Sequence, residues 1–204
     1  MAGKTWYPIG TLDKPFKGAY DGQGYVIKNL TIPNDDSIHS NVGLFGTVKG
    51  SSGKEDNGSI SNIYIENATI KGRNNIGTIV GKGENVKLNN IMIKNSTIEA
   101  VGDSGALIGH STNSSIKNCF VDMKKITGSV DENNAWLFKG TASYNQCLIK
   151  NASSKKQKGA SNTFTEWGKI GDTLIPNKEW GWVALVPDNK VTEQDIKAFG
   201  GTLI

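Results

Sequence analysis

The chain contains few of the residues that build common functional sites. It has two cysteines, Cys119 and Cys147, and no Cys-X-X-Cys motif, so neither a disulfide framework nor a zinc site is predicted. Its two histidines, His39 and His110, lie in different parts of the sequence pattern, and the His-Glu-X-X-His motif of metallopeptidases is absent. We therefore expect no cofactor and no metal. No run of 18 apolar residues occurs, so no membrane span is expected.

Charge and composition narrow the class of protein further. The net charge of +4 is spread along the chain, and the one basic cluster, 155–158, is interpreted as a solvated loop, so no nucleic-acid partner is expected. Hydrophobic residues make up 36% of the chain, a low share, whereas 25 glycines are many. This combination favours a thin, turn-rich β structure. Met1–Lys4 lacks an apolar signal region. We expect an excised domain, a component exported by another route such as a phage particle, or a protein that stays inside the cell.

A repeat organises the middle of the chain. Similar segments begin at Ile60, Leu88, Ile116 and Tyr144 with a constant spacing, and a looser copy begins at Ile27, at a longer spacing. A fixed period of roughly 28 residues is typical of one structural unit stacked on copies of itself. Within the copies, apolar residues alternate with period two, which indicates strands rather than helices. Glycine-bounded apolar blocks recur between the segments. Together they predict an all-β parallel solenoid in which each coil holds about 28 residues.

The two ends of the chain depart from this period. Residues 1–26 are predicted to form an N-terminal cap, in which Trp6, Tyr7 and Phe16 cover the first coil, and the solenoid is expected to continue to residue 152. Residues 153–204 are expected to be a tail packed on the solenoid rather than a further coil. Within that tail, Glu193–Phe199 is predicted to form a short helix, with Thr192 as its N-cap.

Stacking in register converts each position of the repeat into a column on the surface. One column consists of side-chain amides, and we interpret it as a hydrogen-bonded ladder at a corner rather than a ligand site. Another alternates in charge and fixes the register. The amide column is Asn29, Asn62, Asn90, Asn118 and Gln146, and the charge column is Glu66, Lys94, Asp122 and Lys150.

The alternating charges bear on catalysis. β-Helix enzymes that cleave polysaccharides need clustered carboxylates for acid–base work or for calcium. The repeat face has no stacked pair of acids, which argues against an enzyme. Acids in the loops could still meet in space. These are Asp35, Asp36, Glu55, Asp56, Asp103, Asp131 and Glu132.

One outward column is apolar, whereas outward positions of a soluble solenoid are normally polar. It consists of Thr31, Tyr64, Met92, Phe120 and Leu148. Three explanations remain open: the tail, 164–186, covers it; it contacts a glycan or another protein; or it pairs with a second copy of the chain. Cys119 and Cys147 lie in an inward column. Their proximity makes a disulfide conceivable, but two stacked reduced core thiols are the simpler interpretation.

Several of these segments resemble the GLUG-type repeats of bacterial surface and secreted proteins. The resemblance spans about residues 5–151: the leader 6–30 contains Trp-Tyr-Pro-Ile-Gly and Asp-Gly-Gln-Gly, and Val42–Gly46 is close to the motif that names the family. The blocks 78–81 and 135–138 depart from that motif. The resemblance implies a right-handed parallel β-solenoid in an adhesin-like extracellular protein, including regions accessory to IgA-cleaving metallopeptidases. It implies no catalytic residue.

The expected function is therefore that of a non-catalytic binding or adhesion module that recognises a glycan or a protein surface. Aromatic side chains suit sugar rings and interface anchors. The candidate contact residues are Tyr64, Phe120, Trp136, Trp167, Trp180 and Trp182. The alternative is a phage- or bacterium-derived β-helix that degrades polysaccharide, or a tail-fibre receptor-binding module. The enzyme would need two carboxylates within roughly 5–10 Å of each other in a cleft.

Overall fold

The computed structural model describes residues 6–34, 39–51, 53, 57–130, 137–150, 167–170, 173–176 and 183–186. All regular structure in these ranges is β-strand. The strands are β1 (Ala19–Asp21), β2 (Val26–Lys28), β3 (Thr31–Ile32), β4 (Ser40–Val42), β5 (Phe45–Lys49), β6 (Ser59–Glu66), β7 (Thr69–Lys71), β8 (Asn74–Gly77), β9 (Val80–Glu84), β10 (Lys87–Glu99), β11 (Ser104–Gly105), β12 (Ile108–Ile126), β13 (Phe138–Lys150), β14 (Trp167–Ile170), β15 (Thr173–Pro176) and β16 (Val183–Val186).

Most of these strands belong to one large parallel sheet. Eleven strands form it, and the sheet curls into a half-barrel. Six of them follow the order β1-β6-β10-β12-β13-β16, and the other five, which pair beside this path, are β2, β3, β5, β7 and β9. A second parallel sheet consists of β4, β8 and β11, whereas β14 and β15 form an antiparallel hairpin. The predictions of an all-β fold and of parallel stacking are confirmed. The predicted helix at 193–199 lies outside the described residues.

The period of the sequence is the spacing between neighbouring strands. Leu88 lies opposite both Ile60 and Ile116, and Ile116 lies opposite Tyr144. Neighbouring strands of a sheet lie about 4.8 Å apart. Residues at the same offset therefore form columns across β6, β10, β12 and β13.

Asparagine marks the bends of the chain. Ten asparagines among the described residues have φ between 49° and 57°, a left-handed conformation that asparagine tolerates better than most residues. Asn62 and Asn90 bend β6 and β10 at the same point of the repeat. Further along it, Asn67 bends the chain directly after β6, and Asn95 bends β10. The regular recurrence of asparagine is therefore explained by the backbone.

The first coil is registered differently from the sequence-based alignment. Ile27 in β2 lies opposite Ile65, whereas Ile60 lies opposite Tyr20 in β1. The backbone N–H of Asn29 donates to the Glu66 carbonyl, so Asn29 belongs beside Asn67 rather than in the Asn62 column. The alignment slipped because the alternating pattern fits equally well further along the strand. The number of residues between paired positions of the first and second coils is larger than the regular period, because the connections between the strands of the first coil are longer.

An aromatic cluster covers the N-terminal end of the core. Phe45 is fully buried, and the rings of Phe16 and Tyr20 pack on it with centroids 5.0 and 5.4 Å away. Trp6 Nε1 donates to the Leu44 carbonyl oxygen at 3.0 Å. The predicted lid therefore forms around Trp6 and Phe16, but Tyr7 is 68% exposed and lies outside it. Tyr20 provides the third ring, because it is the residue in register with the first core position.

The tail contributes a strand to the large sheet. β16 pairs in parallel with β13, and Val183 lies opposite Cys147. The step between these two residues is longer than the regular period, so the period is broken although the stacking continues. The division of the chain at residue 152 into a solenoid and a tail packed on it stays a prediction, to which the structure adds that β16 of the tail pairs with β13. Sequence comparison with the repeat missed β16 because the connection before it is longer.

Candidate functional site

The apolar column on the outward face is the first candidate for a contact surface. The strand register places Tyr64 opposite Val26 and Met92, and places Phe120 between Met92 and Leu148. We call these five residues the apolar stripe. Val26 replaces Thr31, which instead lies opposite Thr69 because of the different register of the first coil.

Exposure of the apolar stripe falls along the stack. Val26 is 39% exposed and Tyr64 is half-buried, whereas Met92 and Phe120 are each 7% exposed. Met92 and Phe120 are buried but are not members of the core cluster, so they belong to the outward side of the sheet. Phe120 therefore contributes little surface. The accessible part of the stripe lies at its N-terminal end, beside Tyr25, which is 74% exposed.

The candidate tryptophans fall mainly outside the region that the structure describes. Trp167 is the first residue of β14, where it lies opposite Pro176 in the hairpin. Trp136, Trp180 and Trp182 lie outside the described residues. Of the six contact residues proposed from sequence, the structure places Tyr64 and Phe120 on one stripe, two strands apart.

Side-chain amides form short ladders along the stack, all with the same polarity. Asn90 Nδ2 donates to Asn62 Oδ1 at 2.8 Å, and Asn62 Nδ2 donates to Asp21 Oδ1 at 2.9 Å. Asn118, the next residue of the column, does not continue this ladder, because its Nδ2 donates to Asn89 Oδ1, at 2.9 Å, rather than to Asn90. Parallel ladders join Asn95 to Asn67 and Asn75 to Asn41, each at 2.7 Å. In every case the amide donates toward the preceding coil.

Asp21 ends the first of these ladders, and this position makes stability depend on pH. The Asn62 amide, and then the backbone N–H of Gln23, lower the pKa of Asp21 below its ordinary value. A lowered folded-state pKa gives stability that is present above the unfolded pKa, near 3.9, and is lost as pH falls through the folded value. We expect Asp21→Asn to lower the Tm at pH 6 and to match the wild type near pH 2.

Thermal melts of both proteins between pH 2 and pH 7 test this expectation. Asp13→Asn, at another exposed aspartate of the same segment, is the matched control. A Tm difference between Asp21→Asn and wild type that stays constant across the whole range would contradict the role given to Asp21.

Acidic residues on the outward face are held by lysines of neighbouring coils. Glu66 pairs with Lys28 at 3.3 Å, and Glu84 pairs with Lys49 at 3.0 Å. Lys94 lies opposite Glu66 in register, and Lys150 lies opposite Asp122, which is 7% exposed.

A second acid is held on both sides. Glu99 pairs with Lys71 at 3.0 Å and with Lys125 at 3.1 Å, and these two hydrogen bonds, Lys71 first, lower the pKa of Glu99. A carboxylate held in its charged form is a poor proton donor, so Glu99 suits a contact between neighbouring strands better than the role of a general acid. Exposed ion pairs of this kind contribute little to stability, because solvent screens the charges.

A histidine–aspartate pair is the contact that sequence reasoning missed. His110 Nδ1 lies 3.0 Å from Asp103 Oδ2, and the two side chains are 37% and 34% exposed. The two residues lie on either side of the bend between β11 and β12. Asp103 lies one residue before β11, and His110 is the third residue of β12. The sequence signal that could have indicated this contact is the recurring glycine-bounded block between the two residues. The other six loop acids, which the sequence left free to meet in space, lie outside the described residues.

Comparisons with known proteins give little information about this chain. No protein-family model matches the chain, and no solved structure matches it. The chain is similar to Halomucin of Haloquadratum walsbyi. The two are 31% identical over an alignment of 84 residues, which covers 39% of this chain and 1% of Halomucin. The match thus covers a very small part of that protein, and the resemblance to GLUG-type repeats stays a prediction from its motifs.

The described residues present side chains in columns, but few catalytic or metal-binding groups lie together among them. No cluster of three or more His, Cys, Asp or Glu among them could hold a metal ion. In the same part of the chain, no helix is long and apolar enough to cross a bilayer. What the geometry provides is a regular face of paired ions and amides beside an apolar stripe that is open at its N-terminal end.

Proposed function

We propose that this chain is a right-handed parallel β-solenoid module that binds a partner outside the cell and catalyses no reaction. The observation that carries the proposal is the pairing of outward polar groups along the stack. Glu66, Glu84 and Glu99 are held by lysines of neighbouring coils, and Asn62 and Asn90 by amide hydrogen bonds. Groups held in this way favour a stiff display surface over acid–base chemistry.

The proposed contact surface is the open end of the apolar stripe. Tyr25 and Val26 are exposed, and Tyr64 lies opposite Val26 on the next strand. Tyrosine rings present a flat apolar face with a polar edge, which suits a sugar ring or a protein anchor. We propose a glycan as the first partner class. A protein surface, or a second copy of this chain, is the alternative occupant of the same stripe.

Two similarities support a place at the cell surface or in the secreted fraction. The leader and the Val42–Gly46 motif resemble repeats of bacterial surface and secreted proteins, and part of the chain is similar to Halomucin. The module would then belong to a longer surface protein or to a phage particle.

A glycan panel tests this function directly. Binding of the purified chain to immobilised capsular, plant and mucin polysaccharides is measured for wild type, Tyr25→Ala and Tyr64→Ala. We expect at least one polysaccharide to bind, and each variant to weaken that binding about tenfold, the loss typical of one aromatic anchor. Tyr7→Ala, at another exposed tyrosine, serves as the control and should bind as wild type does. Failure of every polysaccharide to bind would contradict the glycan proposal.

A polysaccharide-degrading enzyme remains the second candidate because of one observation, the half-exposed His110–Asp103 pair. A histidine held by a carboxylate is a common proton acceptor in catalysis. The same panel separates the two functions, because an enzyme releases reducing ends from its substrate. Release that disappears in His110→Ala would favour the enzyme, whereas binding without release favours the display module.

A further inference from the structure

The two cysteines of the chain lie opposite each other on neighbouring strands. Cys119 is in β12 and Cys147 is in β13, and the register pairs them directly. Both are core residues, 2% and 0% exposed, and both are present as thiols rather than as a disulfide. The rest of this column is apolar, with Ile63 and Ile91 on one side and Val183 on the other. Filling the core therefore does not by itself require cysteine at two adjacent positions.

The backbone geometry of this pair suits a disulfide. Neighbouring parallel strands lie about 4.8 Å apart, within the roughly 4.4–6.8 Å between Cα atoms that disulfides span. Because the two residues are in register, both side chains point to the same face. Cys147 Sγ already reaches toward β12, where it lies 3.8 Å from the Ile116 carbonyl oxygen. Cys119 Sγ donates to the Lys117 carbonyl oxygen at 3.1 Å, so bond formation needs rotation of that side chain.

The two cysteines lie near the C-terminal edge of the large sheet, where a covalent link would stabilise the pairing of its strands. β12 and β13 are the last two long strands of the stack, and β13 is followed at the sheet edge only by the short β16 among the described strands. Edge strands of a stack open more readily than central ones. A link between the two cysteines would hold the last long strand to the one before it.

We propose that Cys119 and Cys147 are an oxidisable pair that forms a disulfide between β12 and β13 in an oxidising compartment. The compartment rests on the proposed extracellular function, whereas the chemistry does not. The oxidant is a small-molecule or protein disulfide, such as glutathione disulfide. One cysteine thiolate attacks it and releases one thiol. The second cysteine thiolate then attacks the mixed disulfide and releases the other thiol. The two cysteines lose two electrons and two protons, and the oxidant is reduced to two thiols.

Burial determines when this bond forms. Desolvation in the core, and then the adjacent Cys147 thiol, raise the pKa of Cys119 above its ordinary value. Because the thiolate is the nucleophile, the folded thiols react slowly. The bond therefore forms during folding, before β13 closes over β12, and is protected from reductants afterwards.

Oxidative refolding of the full chain tests the proposal. The chain is unfolded in denaturant and refolded either with a glutathione disulfide and glutathione mixture or with a reductant alone. We expect the oxidised product to lose both free thiols and about 2 Da of mass, and to yield one cross-linked peptide pair without reduction. Its Tm should exceed that of the reduced product by about 10 °C. The double variant Cys119→Val/Cys147→Val should show no dependence of Tm on redox conditions.

Three results would overturn the proposal. They are two free thiols per chain after oxidative refolding, cross-linked dimers instead of an internal bond, or an oxidised product less stable than the reduced one. These measurements need neither a ligand nor a cell, so failure here is distinguishable from failure of the glycan-binding panel. The wild-type comparison also stands if the double variant does not fold.

Discussion

Alanine at Gly109 is expected to destabilise the fold strongly. A Cβ at this position would overlap the backbone of Asn75 and Ile76 on the neighbouring coil. Those atoms belong to the backbone at the start of β8, so they cannot move aside as a side chain would. Close approach of two backbones is the reason that glycine recurs here, since Gly81 meets Asn41 and Val42 in the same way.

The expected loss is more than about 4 kcal/mol, a large part of the roughly 5–15 kcal/mol by which most domains are stable. Urea unfolding followed by far-UV circular dichroism measures it. Gly18→Ala is the matched control, because a Cβ there meets the Phe16 ring at an ordinary 3.5 Å. That control should change stability by no more than about 0.5 kcal/mol. If Gly109→Ala unfolds at the same urea concentration as Gly18→Ala, the close packing of these coils is not what the structure indicates.

Truncation of Phe45 to alanine is expected to be the most damaging change at the N-terminal end. Phe45 is fully buried, and Phe16 and Tyr20 pack directly on its ring. Removing the ring leaves a cavity beneath both aromatics and costs about 3–5 kcal/mol. Tyr7→Ala, at a ring that is 68% exposed, should cost no more than about 0.5 kcal/mol.

Hydrogen exchange distinguishes a local effect of Phe45→Ala from a global one. The lid is held by backbone hydrogen bonds from Ile9 to Leu44 and from Phe16 to Thr47. Exchange at Ile9 and Phe16 should accelerate more than exchange at Ile93, in the centre of β10. Equal acceleration at all three amides would show that the aromatic cluster is not a separate cap.

The repeat could be predicted from the sequence because each coil carries its own signal. Alternation at Ile63 and Ile65 identifies strands, and the constant period identifies which strands are neighbours. The asparagines were assigned to corners because asparagine tolerates the left-handed conformation. These are local properties of residue type and spacing, so no tertiary information was needed.

The N-terminal coil and the site could not be predicted to the same depth. The alternation around Ile27 fits two registers, and only the contacts of the whole chain select the one with Ile65. His110 and Asp103 meet because the bend between β11 and β12 turns one side chain back toward the other. The burial of Phe120 does not follow from its column, because Val26 in the same column is 39% exposed whereas Phe120 is 7% exposed.

The register of the stack also fixes how far such a module reaches. Each added coil uses about 28 residues and lengthens the stack by about 4.8 Å, so the steps from β1 through β6, β10 and β12 to β13 advance roughly 19 Å. The roughly 28 residues of a single coil, fully extended, would reach about 90 Å. This architecture therefore gains length slowly, in whole-coil increments that leave the amide and ion columns intact.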